Sequence, residues 1–131
     1  MTMRAATFAT LGGIAFMLTL VLRPAFAEDL TCVPTILCID DECQTGHDDR
    51  QTVRLLNWTS KRVVLRSDYG DVPVVRTKRA NTTQWSGRND QGQTETLSVK
   101  PSDLSFVYVV ELEATSAFEK LTAKGDCMVT K

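Results

Sequence analysis

From Val53 onward the apolar residues fall in short runs that alternate with polar ones, each run broken by Gly, Pro, Asn, Asp or Ser. That is the pattern of antiparallel strands joined by tight turns. Val53–Trp58 (VRLLNW) and Arg62–Arg66 (RVVLR), split by Thr59-Ser60-Lys61, predict a hairpin. Tyr69-Gly70-Asp71 makes the next turn, and Val72–Lys78 (VPVVRTK) reads as a strand that Pro73 confines to a strand start or an edge. Asn81–Trp85 (NTTQW) predicts another short strand, followed by a polar loop over Ser86–Gln93 (SGRNDQGQ). Thr94–Val99 (TETLSV) then runs into the breaker Lys100-Pro101-Ser102-Asp103.

Leu104–Leu112 (LSFVYVVEL) is the most apolar of these runs. Phe106, Tyr108 and Val110 share one face and Val107 and Val109 the other, which predicts a strand buried on both sides, or one passing from the core to a contact surface. Ala117–Ala123 (AFEKLTA) fits a short helix or a returning strand, and Gly125 before Asp126-Cys127 suits a turn or bulge. With Leu30–Leu37 added, the pattern gives seven to eight short strands and no long helix. The expected fold is all-β: a small antiparallel barrel or sandwich.

The first 27 residues follow a different rule. Arg4 gives a basic start, Leu11–Leu22 (LGGIAFMLTLVL) an apolar core, and Ala25-Phe26-Ala27 a small-x-small site, so residues 1–27 read as a cleaved secretory signal peptide. An uncleaved anchor is the competing reading, because Arg23 and Pro24 follow the apolar run. That run is well short of the roughly 20 residues that span a bilayer. Residues 28–131 then form one domain, with no membrane span after signal removal. Export is expected to a periplasmic or extracellular compartment, of bacterial origin.

That compartment decides how Cys32, Cys38, Cys43 and Cys127 are read. An even number of cysteines in an exported chain points to two disulfides. Cys38 and Cys43 flank the acidic turn Ile39-Asp40-Asp41-Glu42 and are placed to bridge a tight hairpin. This leaves Cys32–Cys127 to tie the two ends of the domain together. A zinc site is disfavoured, since the spacing is not C-x-x-C and the fourth thiol lies far along the chain.

Fifteen basic residues stand against sixteen acidic ones. The leader removes Arg4 and Arg23, leaving a net charge of about −3. A mildly acidic chain with mixed signs argues against nucleic acid as a partner, and against docking on anionic lipid. Arg76, Lys78 and Arg79 form a local basic edge whose ordinary role is to solvate and protect an edge strand.

Catalytic sets are not evident. His47 is the single histidine, so no Ser-His-Asp or Cys-His pair arises once the cysteines are bonded. A calcium loop starting at Asp41 fails, because Cys43 and Thr45 fall at ligand positions and Thr52 replaces the terminal Glu. Glu95, Glu111 and Glu113 sit on predicted strands as a conceivable carboxylate pair. Such pairs ordinarily line the wet side of a sheet. Asn57-Trp58-Thr59 and Asn81-Thr82-Thr83 match the glycosylation pattern, relevant only in a eukaryotic secretory route.

The remaining candidate is Trp85-Ser86-Gly87-Arg88, where an aromatic enters a polar loop. Trp85, Ser86 and Arg88 are the candidate binding residues, with Arg88 for a carboxylate partner and a core tryptophan as the plainer alternative. The expected function is that of a small secreted or periplasmic binding protein, not an enzyme, with no cofactor and no metal. It would hold a small apolar ligand, or act as a monomer on an envelope or extracellular protein through its loops, as an inhibitor-type barrel does. A structural envelope component, meeting its partner through Leu104–Leu112, is the alternative. A small glycan-acting enzyme is the third.

Overall fold

The computed structural model describes residues 28–46, 51–112 and 119–131. The signal segment, His47 with its neighbours Asp48 and Asp49, and Glu113 lie outside the described residues. Nine strands and no helix occur among those described: β1 (Asp29–Ile39), β2 (Glu42–Thr45), β3 (Val53–Leu56), β4 (Val63–Ser67), β5 (Gly70–Lys78), β6 (Thr83–Arg88), β7 (Thr94–Val99), β8 (Ser105–Glu111) and β9 (Lys120–Thr130).

Each strand from β3 to β9 pairs antiparallel with the next, and β1 closes the circle by pairing with both β3 and β9. The result is an eight-stranded antiparallel barrel with β2 as an extra strand. The edge of β1 is shared in sequence order. Leu30–Cys32 face β3, and Ile36–Ile39 face β2. Closure leaves few unpaired edges, which removes the aggregation hazard of an open sheet.

Alternation explains which residues line the inside. Val53 and Leu55, Val63 and Leu65, Val72 and Val74, Leu97 and Val99, and Phe106, Tyr108 and Val110 are all buried, while their strand neighbours point outward. Along β8 this corrects the two-sided burial expected from sequence. Val107 is exposed on the outer face, and the inward set is Phe106, Tyr108 and Val110 alone. The other differences are of extent. β6 continues through Ser86, Gly87 and Arg88, so the polar loop is reduced to the turn Asn89–Gly92. Of the 117–123 segment, residues 117 and 118 lie outside the described residues and Lys120–Ala123 form the start of β9, a strand of eleven residues that continues past Gly125.

Gly125 and Gly87 are glycines for packing reasons. A Cβ on Gly125 would press on the Val33 carbonyl and lie 3.0 Å from the Phe106 ring. It faces Pro34 at the point where the β1–β9 register slips past Thr35, and the Thr35 carbonyl accepts the Gly46 N–H at 2.9 Å. A Cβ on Gly87 would meet the Pro73 carbonyl at 2.5 Å and the Val72 side chain at 2.8 Å.

Both disulfides form as the spacing suggested. Cys38 and Cys43 are direct partners across the β1–β2 hairpin, and Cys32 and Cys127 are direct partners across the β1–β9 seam. The second bond locks the first strand to the last, closing a loop of 95 residues.

Candidate functional site

Trp85, Ser86 and Arg88 do not form one surface. Because the segment is a strand, consecutive side chains point to opposite faces of the wall. Trp85 is 2 % exposed, inside the barrel, with its ring centroid 6.4 Å from that of Trp58 in an edge-to-face pair. Ser86 points outward and shares a hydrogen bond with the Thr96 hydroxyl at 3.1 Å. Arg88 is exposed on the same outer face.

Glu95 and Glu111 are also separated. Glu111 is exposed, whereas Glu95 is in phase with Leu97 and Val99 and is completely buried. Its Oε1 accepts hydrogen bonds from Ser67 Oγ at 2.9 Å and Tyr108 Oη at 2.5 Å, and its Oε2 accepts one from Asn89 Nδ2 at 3.1 Å. Asn89 in turn donates to Gln93 Oε1, and its Oδ1 accepts the Gln91 and Gln93 backbone N–H groups. Neutral donors thus surround a carboxyl group at one end of the barrel. Burial, then the bond to Glu95, pushes the Tyr108 hydroxyl far above its ordinary range. Tyr69 is raised by burial and by the nearby Glu95. This network fastens the β6–β7 turn over the core and satisfies each of its buried groups, as low-dielectric burial requires.

The turns divide by charge. At the Glu95 end the connections carry Asp40 and Asp41, Asp68, and Asp90. At the opposite end they carry Lys61 and Arg62 in the β3–β4 turn, Arg79 in the β5–β6 turn, and Lys100 with Asp103 in the β7–β8 turn; Lys78 lies at the adjoining end of β5, and Glu28 and Asp29 at the start of β1 lie at this end too, against the β3–β4 turn. Turns at one end of an up-and-down barrel are far apart in sequence, so the separation is invisible until the strands are paired.

The basic end holds a concave site of about 570 Å³ between the β5–β6 and β7–β8 turns, with Lys78, Arg79 and Lys100 in its wall and no carboxylate. None of the three is ion-paired to a carboxylate of the described residues. Both turns are held by backbone bonds: Arg79 N–H to the Thr82 carbonyl, Lys100 N–H to the Ser105 carbonyl, and Leu104 N–H to the Lys100 carbonyl, each at 2.8–2.9 Å. Leu104 takes a positive φ of 60°, and its own carbonyl accepts the Cys127 N–H at 2.8 Å. That conformation is strained for a leucine, and the surrounding bonds hold it. Of the basic edge Arg76, Lys78 and Arg79, only Lys78 and Arg79 line this site; Lys100, from a turn about twenty residues on, carries no signal of its own in the sequence.

No family model matches this chain, and no curated protein or solved structure matches it at a significant level.

Proposed function

We propose that this is an exported binding protein that works through its outer surface, with the basic end meeting a negatively charged partner. The observation that carries the proposal is the filled interior. Trp85, Leu30, Leu55, Leu65, Leu97 and Val110 occupy the barrel lumen and are buried against one another, with Trp58 and Leu104 packed on the same cluster. An eight-stranded barrel is just wide enough for side chains to fill it, so a lumen packed this way has no room for an apolar ligand as well. Binding then falls to the outside, where the two ends differ in sign.

Two disulfides in a small β domain support export to an oxidising compartment. No helix of the described residues is long and apolar enough to cross a membrane. Titration with a fluorescent fatty acid tests the reading. No saturable uptake is expected, and a one-to-one signal lost on unfolding would overturn it.

A further inference from the structure

The concave site at the basic end does not stop at its own rim. A second depression, of about 290 Å³, shares Thr82 and Lys100 with it and extends over the outer wall of β7, β8 and β9 as far as Lys124. Four cations, Lys78, Arg79, Lys100 and Lys124, are therefore distributed along one groove instead of gathered at a point. Two carboxylates flank the groove: exposed Asp126, the cross-strand partner of Ser105, and Asp103, whose Oδ1 accepts both the Ser105 N–H at 3.0 Å and the Ser105 hydroxyl at 2.8 Å, bonds that, before the Lys100 charge, hold it below its usual range.

One of the cations is oriented by the wall itself. Arg79 Nε donates to Gln84 Oε1 at 3.2 Å, and Gln84 Nε2 donates to Ser98 Oγ at 3.1 Å. This chain fixes the guanidinium over the outer face of β6 and β7 and leaves its two terminal nitrogens free of partners among the described residues. Terminal guanidinium nitrogens make bidentate bonds to carboxylate, sulfate and phosphate oxygens.

Between the cations the groove carries Asn81, Thr82, Ser98 and Ser102, with Pro101 and Val107 as small apolar faces. Hydroxyl and amide groups between spaced cations match a ligand that alternates hydroxyls with anionic groups. They do not match a nucleic acid strand, which would need exposed aromatic platforms for its bases.

We propose that this groove binds an anionic oligosaccharide, one whose sugar units bear sulfate or carboxylate groups. Lys78, Arg79, Lys100 and Lys124 take the anionic groups, and the hydroxyl and amide side chains take the sugar hydroxyls. The proposal rests on the outward-binding reading above and names its partner.

The test is an amide chemical-shift titration of the disulfide-bonded protein with three probes: a sulfated tetrasaccharide, its unsulfated parent, and hexaglutamate. The sulfated tetrasaccharide is expected to give saturable shifts at Thr82, Ser98, Lys100, Ser102 and Lys124. Lys100→Glu and Lys124→Glu should each weaken it by about tenfold or more. Lys120→Glu, which changes net charge equally but lies at the far end of β9, should leave binding unchanged. All three positions are exposed, and retained spectral dispersion confirms that the variants fold. Equal or tighter binding of hexaglutamate would overturn the proposal in favour of an acidic peptide. Absence of shifts, shifts mapping elsewhere, or indifference to Lys100→Glu would overturn it outright. A fatty acid found in the lumen would instead remove the outward-binding reading on which it rests.

Discussion

Glu95 shows how much one residue can decide. A carboxyl group inside an eight-stranded barrel is tolerable only while its oxygens are bonded, and Ser67, Asn89 and Tyr108 supply those bonds. Removing the acceptor takes the Glu95 partner from the buried Tyr108 hydroxyl, from the half-buried Ser67 hydroxyl and from Asn89, which keeps only its bond to Gln93. Glu95→Leu should therefore cost about 3–5 kcal/mol in denaturant unfolding, and Tyr108→Phe, which removes one donor, about 1–2 kcal/mol. Tyr108 also sets the alkaline limit. Its folded-state pKa is raised above the unfolded value of 10.0, so its contribution is complete below that pH and is lost as pH rises beyond it. Thermal unfolding should fall steeply above about pH 10 in the native protein and less steeply in Tyr108→Phe. Trp85 belongs to the same scale: Trp85→Ala should cost about 3–5 kcal/mol, as for any large core truncation, and a near-neutral result would mean the indole is not in the lumen. The phase that buries Glu95 is present in the sequence, since it alternates with Leu97 and Val99. Its charge argued for the wet face, and only the donors from three other segments make burial workable.

Among the elements, strand existence was readable and strand extent was not. Thr94–Val99 forms where its period-two pattern places it, and Arg62–Arg66 forms one residue later, as Val63–Ser67; the run Val53–Trp58 stops at Leu56, because Asn57 takes a positive φ of 55° and turns the chain. β6 and β9 run longer than expected because Gly87 and Gly125 look like turn residues when seen alone. In the barrel they are small because a neighbouring strand passes too close for a Cβ. Gly125→Ala should accordingly lower the thermal midpoint by several degrees, a loss of about 1–3 kcal/mol from overpacking against Val33 and Phe106. β2 is exposed along its whole length and has no apolar pattern to announce it; the Cys38–Cys43 hairpin brings it into register. The cysteine pairing itself was legible from spacing. Loop length ranks the two bonds: Cys32→Ser with Cys127→Ser should cost about 4–5 kcal/mol, and Cys38→Ser with Cys43→Ser clearly less, as measured by chemical unfolding.

For the whole molecule, closure produces two properties that a linear reading does not hold. It fills the lumen, and it sorts the turns so that acids collect at the Glu95 end and Lys61, Arg62, Arg79 and Lys100 at the other. Net charge is only slightly negative, so neither composition nor any single segment reveals the polarity. The expected binding segment illustrates the gap. Trp85 and Arg88 were grouped because they are adjacent in sequence, whereas the wall of the barrel separates them. The cationic groove is assembled from two turns, β5–β6 and β7–β8, and the outer face of β7, β8 and β9. The central claim, a packed barrel that binds only on its outside, is tested most directly by native mass spectrometry of the protein exported with its own leader, before and after denaturation and without reductant. The predicted result is a mass equal to the polypeptide with two disulfides, unchanged by denaturation. A co-isolated small molecule released only when the barrel unfolds would contradict it.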